Sequence, residues 1–125
     1  MRFYDFSNIV LQGPSASGKT FFVKKLIEQR EHMFFTAIER IIYIYSNYQP
    51  MYDELKIAVP GIIFMRTIPS EEELIELVKS SAHSMLIIDD KATDLASFEH
   101  IANLFVRNSH HLKITTALLL QGTNL

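Results

Sequence analysis

The most chemically informative stretch of the sequence is the short segment GPSASGKT, which runs from Gly13 to Thr20. It fits the pattern G-x-x-x-x-G-K-[ST] at every fixed position. Small residues let the backbone wrap a phosphate chain, and a helix that follows adds positive potential at its amino terminus. Lys19 would reach the β- and γ-phosphates, and the Thr20 hydroxyl would ligate Mg²⁺. We therefore predict a nucleotide cradle composed of Gly13, Pro14, Ser15, Ala16, Ser17, Gly18, Lys19, Thr20 and Phe21.

A second chemical feature is the acidic pair Asp89 and Asp90, which ends the apolar run MLII. Such a run is typical of a strand that is buried on both faces. Asp89, at the tip of this strand, would hold Mg²⁺ through water, opposite Thr20. Asp90 is a candidate general base for the attacking water, although many ATPases place the longer glutamate there. The alternative for both residues is a pair of solvated acids before a turn.

Two polar residues nearer the carboxyl terminus, Gln121 and Arg107, complete the set of candidates. Gln121 ends the run ITTALLL, and an amide can donate to the γ-phosphate while accepting from the attacking water. It is therefore a candidate sensor. Arg107 is a candidate arginine finger for a neighbouring subunit's nucleotide, with a solvated cation at a helix end as the alternative. The adjacent His110 and His111 would face apart on a strand, which makes a poor metal pair.

The elements that must position these residues are short apolar runs alternating with amphipathic segments. Hydrophobic periodicity predicts strands over 6–12, 41–45, 62–65, 85–88 and 114–120 and helices over 19–32, 51–57, 71 onwards and 96–106. Ser70 and Glu73 form a capping-box pattern at the start of the third helix. Strands separated by helices predict an α/β fold whose parallel sheet is covered on both faces. Ligands bind at the carboxyl ends of such strands, where the glycine segment and Asp89 both fall.

Composition limits the classes of protein that this chain can represent. Its 125 residues indicate one domain over 1–125, and the net charge of -2 gives no overall attraction to nucleic acid. Without cysteine there is no disulfide framework and no thiolate metal site, which fits a reducing, intracellular compartment. No apolar run reaches about 18 residues, so no membrane span is expected. The near-alternate Tyr43, Tyr45 and Tyr48 favour strand packing over a base-stacking platform.

Two motifs that are absent from the sequence argue against particular classes of nucleotide-binding protein. The sequence has no N-K-x-D segment, which a GTPase would use to recognise its base. Residues 90–105 contain no arginine, which argues against the arginine-rich lid of a nucleotide kinase. An additional strand between the glycine-segment strand and the acidic strand, tipped by Gln121, would match the additional-strand ATPases. The alternatives left open are a nucleotide-binding interaction module without turnover and a small-molecule kinase.

The succession of four segments resembles the ATPases of large double-stranded DNA viruses and Polinton-like elements, which belong to the FtsK/HerA-type DNA pumps. The segments are GPSASGKTFFVKKL, ERIIYIYSNYQPMYDEL, MLIIDD and NLFVRNSHHLKITTALLLQGTNL. The resemblance implies a P-loop NTPase three-layer sandwich of the additional-strand type, with a mostly parallel sheet of about five strands. It also implies hydrolysis of ATP with Mg²⁺ to power DNA translocation, as in viral genome packaging.

The same resemblance implies partners and residue roles. The partners are further copies in a homo-oligomeric ring, double-stranded DNA and capsid proteins, in the cytoplasm or nucleus of a host. The roles are nucleotide binding by Gly13, Gly18, Lys19 and Thr20, metal and water binding by Asp89 and Asp90, sensing by Gln121 and a finger role for Arg107.

Two departures from the family pattern shape these expectations. The family's core continues past the sensor strand with at least one more strand and helix, whereas the sequence stops at Leu125. We therefore expect a P-loop domain that lacks the end of this core. No basic loop that could grip DNA stands out in the sequence, so the expectation of DNA binding rests on the resemblance.

Overall fold

The structure, a computed structural model, describes residues 8–13, 16–33, 37–45, 47–89 and 112–121. These ranges contain strands and helices that alternate along most of the chain. The strands are β1 (Asn8–Gly13), β2 (Arg40–Ile44), β3 (Ile63–Met65), β4 (Ser84–Asp89) and β5 (Ile114–Gln121). The helices are α1 (Ala16–Glu28), α2 (Arg30–Met33), α3 (Met51–Ala58) and α4 (Glu71–Val78).

The described strands form one sheet in the order β1-β5-β4-β2-β3, and every pair of neighbours is parallel. The predicted α/β class is therefore confirmed. β5 comes last in the sequence, yet it lies between β1 and β4 and pairs with both. The strand that ends in Gln121 thus separates the strand of the glycine segment from the strand that ends in Asp89.

Helices cover both faces of this sheet, which is why β4 is buried along its whole length. On one face, α1 and α3 pack over residues that include Tyr43, Ile87 and Leu119. On the other face, α4 packs over residues that include Ile42 and Ile88. Successive strand residues point to opposite faces, so consecutive apolar residues in β2 and β4 serve two separate cores. Burying one such side chain contributes about 1.5–3 kcal/mol, which explains the nearly continuous apolar runs.

The capping box predicted for the third long helix is confirmed at the start of α4. The Ser70 hydroxyl accepts a hydrogen bond from the Glu73 amide at 3.2 Å. The Glu73 carboxylate accepts one from the Ser70 amide at 3.3 Å. These two bonds use backbone donors that have no partner inside the helix. The amino terminus of α4 is therefore closed by its own side chains.

The prediction for the first helix is wrong in its boundaries. A single helix over 19–32 was expected, but α1 begins three residues earlier, at Ala16, and ends at Glu28. A separate turn, α2, follows from Arg30 to Met33. Alanine favours a helix, and the penalty of about 1 kcal/mol for Gly18 does not outweigh the packing of this helix on the sheet.

The other boundaries agree with prediction to within about two residues. Most importantly, β4 includes Asp89 and β5 includes Gln121, so both residues belong to the sheet itself. The helix predicted over 96–106 lies outside the described residues.

Candidate functional site

The predicted site lies at the carboxyl edge of the sheet, where the ends of three neighbouring strands meet. Gly13 of β1 is the direct register partner of Gln121 in β5. Asp89 of β4 is the partner of Leu119, two residues earlier in β5. Strand spacing therefore places the backbones of Gly13 and Asp89 roughly 10 Å apart across the sheet and about 7 Å apart along it. The sheet order brings these three residues to one edge.

The amino terminus of α1 adds backbone donors to this edge. α1 begins at Ala16, three residues after β1 ends at Gly13, so the glycine segment leads from a strand into a helix as its motif requires. The first amides of a helix have no acceptor within the helix, and they favour an anion. The first turn of α1 contains no acidic residue, whereas that of α4 contains three glutamates. The start of α1 is therefore suited to a phosphate.

Asp89, the last residue of β4, is the acidic residue that the structure describes at this edge of the sheet. It is only 5% exposed, and it lies two residues after Ile87, so it shares the face of the sheet that α1 and α3 cover. The hydroxyl of Tyr52, in α3, donates a hydrogen bond to Asp89 Oδ2 at 3.1 Å. A buried carboxylate is costly unless hydrogen bonds compensate for lost water, and this bond provides part of that compensation.

Tyr52 belongs to an aromatic cluster that we define by Tyr43, Tyr45, Tyr48, Tyr52 and Phe64. The ring centroid of Tyr52 lies 4.9–5.5 Å from those of its four neighbours. Such distances are favourable for tilted and edge-to-face aromatic pairs. The ring of Tyr52 is thereby held on several sides, and this fixes where its hydroxyl points.

Two hydroxyls of this cluster stay protonated because of their surroundings. Burial, and then the charge of Asp89, raise the pKa of Tyr52 well above its ordinary value. The same two causes raise the pKa of Tyr43 even further. The Tyr43 hydroxyl is buried and makes no hydrogen bond to a described residue. Tyr52 is therefore a permanent donor to Asp89 near neutral pH.

The prediction of strand packing for three tyrosines is confirmed for one of them. Tyr43 lies in β2 and is fully buried. Tyr45 follows the strand and is half-buried, while Tyr48 lies outside the sheet and is 47% exposed. For Tyr48 the prediction is wrong, because β2 ends at Ile44.

α3 also contacts the helix that follows the glycine segment. Lys24 Nζ of α1 lies 2.8 Å from Glu54 Oε2 of α3. The hydrogen bond to Glu54 raises the pKa of Lys24. An exposed pair of this kind contributes little stability, about 0–1 kcal/mol. The pair matters for its position. Through Glu54, α3 contacts α1, and through Tyr52 the same helix contacts Asp89.

The remaining predicted site residues divide into two groups. The structure places Ala16, Ser17, Gly18, Lys19, Thr20 and Phe21 in the first turns of α1, beside the strand ends described above. Phe21 is 60% exposed, and the Lys25 ammonium lies 5.5 Å from the centre of its ring. Pro14, Ser15, Asp90 and Arg107 lie outside the described residues, so their predicted roles stay predictions.

The donors at this edge fit one kind of metal site. Among the described residues, there is no group of three or more His, Cys, Asp or Glu side chains that could hold a metal ion. Mg²⁺ in phosphate sites is held by one or two carboxylates together with the phosphates themselves. A single buried carboxylate, Asp89, near the predicted phosphate-binding start of α1 fits that arrangement. The described residues at this edge do not supply enough ligands for a metal ion that is held by protein side chains alone.

Tyr52 is the residue that the sequence did not reveal. It lies 37 positions from Asp89, and in the sequence it is one tyrosine in a predicted helix that follows three others, Tyr43, Tyr45 and Tyr48. The only available signal was its hydroxyl, since a buried tyrosine usually finds a partner for this group. This signal does not identify the hydrogen-bond acceptor, which only the fold brings next to the hydroxyl.

Comparisons with known protein families and curated proteins give no match from which a function could be assigned. No protein-family model matches the chain, and no curated protein is significantly similar to it. Among the described helices, none combines the length and apolar character needed to cross a bilayer.

Proposed function

We propose that this chain is a P-loop ATPase domain of the additional-strand type, which binds and hydrolyses ATP with Mg²⁺. One observation carries this proposal: β5, which ends in Gln121, lies between β1 and β4. The polar end of the inserted strand is thereby next to Gly13 on one side and close to Asp89 on the other. A sensor strand between the phosphate loop and the acidic strand is the arrangement that this class of ATPase requires.

The proposed chemistry is positioning and charge compensation. Backbone amides at the start of α1 bind the phosphate chain, and Lys19 offsets negative charge at the β- and γ-phosphates. Thr20, and Asp89 through water, would hold Mg²⁺ together with the phosphates, and the ion would supply further charge neutralisation there. Gln121 accepts a hydrogen bond from the attacking water, and Asp90 is the base that receives its proton. Arg107 of a neighbouring copy compensates charge that develops on the γ-phosphate.

The proposed use of this hydrolysis is DNA translocation, as in genome packaging. The support for it is the resemblance to the viral DNA pumps, in which copies form a ring around double-stranded DNA. The net charge of -2 does not exclude such a role, because these pumps contact DNA inside the pore of the ring.

The decisive experiment compares phosphate release from ATP and Mg²⁺ by the parent chain, Lys19→Ala and Lys25→Ala. Lys25 is an exposed cation on the same helix and serves as the matched control. We expect Lys19→Ala to lose ATP binding and at least about a hundredfold in turnover, while Lys25→Ala resembles the parent. Equal ATP affinity in the parent and Lys19→Ala would show that the cradle is wrongly assigned.

Double-stranded DNA added to the same assay tests the proposed use. Turnover that DNA stimulates, and that Lys19→Ala abolishes, supports a translocating motor. Tight ATP binding without turnover would favour the nucleotide-binding module instead. Transfer of phosphate to a nucleoside or metabolite rather than to water would favour the kinase.

A further inference from the structure

We propose that Tyr52 is a positioning residue for metal binding: its hydroxyl holds the Asp89 carboxylate in the orientation that binds Mg²⁺ with the nucleotide phosphates. This inference rests on the proposed function, because it assigns a role to a residue that touches the proposed metal ligand. The contact that carries it is the hydrogen bond from the Tyr52 hydroxyl to Asp89 Oδ2 at 3.1 Å.

The surroundings of this bond allow little freedom to either partner. Both residues are buried, with Tyr52 at 0% and Asp89 at 5% exposure. Four aromatic rings surround Tyr52, and Asp89 is fixed in the ladder between β4 and β5. A carboxylate that is free to rotate must be ordered when the metal binds, whereas one already held by a rigid donor has less entropy to lose. The bond therefore orients the Asp89 carboxylate before Mg²⁺ binds.

The direction of the hydrogen bond also matters. The Tyr52 phenol donates and the carboxylate accepts, so the bond leaves the other oxygen lone pairs of Asp89 to bind a cation. Groups that hydrogen-bond to metal ligands orient them, and removing such a group commonly costs 10- to 100-fold in metal affinity. Tyr52 has the chemistry and the placement for this role.

The test measures how much Mg²⁺ contributes to nucleotide affinity. The dissociation constant for ATP is measured by calorimetry with Mg²⁺ and with EDTA, for the parent, Tyr52→Phe and Tyr45→Phe. Phenylalanine keeps the aromatic packing of Tyr52 and removes only its hydroxyl. Tyr45 is the matched control, since its ring lies 5.5 Å from that of Tyr52 in the same aromatic cluster.

We expect Tyr52→Phe to reduce the advantage of Mg²⁺ over EDTA by about tenfold, with the affinity in EDTA unchanged. Tyr45→Phe should leave both affinities unchanged. If Tyr52 has a purely structural role, Tyr52→Phe should weaken ATP binding by the same factor in Mg²⁺ and in EDTA. That result, or an unchanged or larger Mg²⁺ advantage in Tyr52→Phe, overturns the inference.

A double-mutant cycle with Asp89→Asn asks whether Tyr52 acts through this carboxylate. If it does, Tyr52→Phe has no further effect on the Mg²⁺ advantage once Asp89 is replaced. A tenfold additional loss in that background contradicts the proposal.

The outcomes also separate the inference from the function on which it rests. If the parent gains nothing from Mg²⁺ and Lys19→Ala binds ATP as tightly as the parent, the proposed function fails and the inference fails with it. If the parent depends on both Mg²⁺ and Lys19 while Tyr52→Phe is silent, only the inference fails.

Discussion

Gly13 and Gln121 are direct register partners at the ends of two parallel strands, although 108 positions separate them in the sequence. One opens the segment that we propose as the phosphate cradle, and the other ends the strand inserted between β1 and β4. Because neighbouring strands lie about 4.8 Å apart, any ligand bound after Gly13 is within reach of residues at the end of β5. This pairing makes Gln121 the first residue to test for a role in turnover rather than in binding.

Replacement of Gln121 should separate hydrolysis from binding. We expect Gln121→Ala to lower kcat by about a hundredfold, because an amide that aligns water acts mainly in the transition state. The dissociation constant for ATP should change less than about twofold, since the cradle is intact. Steady-state phosphate release and calorimetry measure the two quantities.

The control for this prediction is Gln29→Ala, at an exposed position just beyond α1. It should match the parent in both measurements. A Gln121→Ala variant with normal kcat would remove the sensor role and leave Gln121 as an ordinary strand residue.

The buried Tyr43 predicts a loss of stability in alkali. Burial and the charge of Asp89 raise its pKa in the folded state above the ordinary value of 10.0. The folded state therefore keeps a proton that the unfolded state releases. The resulting stabilisation is complete below about pH 10 and declines as the pH rises above it, by about 1.4 kcal/mol per pH unit.

Urea unfolding at pH 8, 10 and 11 measures this decline in the free energy of unfolding. In Tyr43→Phe the slope above pH 10 should be smaller by about 1.4 kcal/mol per pH unit. At pH 8 the variant should be no less stable than the parent, because the lost hydroxyl makes no hydrogen bond to a described residue. Identical slopes in the two proteins would refute the prediction.

The capping box of α4 predicts a local effect on stability. Ser70→Ala removes the side-chain acceptor for the Glu73 amide, and it should lower the free energy of unfolding by about 1 kcal/mol. Thermal or urea unfolding of the parent and the variant measures the difference.

Ser80→Ala is the matched control, at an exposed position two residues after α4 ends. It should change the free energy of unfolding by less than about 0.5 kcal/mol. If both variants lose the same stability, the cap of α4 contributes nothing specific.

The sequence by itself determined the features that depend on neighbouring residues. The glycine segment, the capping box of Ser70 and Glu73, and the buried run before Asp89 were all readable, because their hydrogen bonds and periodicities span only a few positions. The α/β class followed from the alternation of such segments. Even here the start of α1 at Ala16 was missed, since packing on the sheet extends the helix past the position where local signals begin it.

Only the tertiary structure decided which distant residues meet. The insertion of β5 between β1 and β4, and the bond from Tyr52 to Asp89, join residues that no local pattern relates. Strand order is set by how two separate apolar cores close on the two faces of the sheet, a property of the whole chain. A tyrosine hydroxyl finds its acceptor only after that closure, because burial removes the water that would otherwise satisfy it.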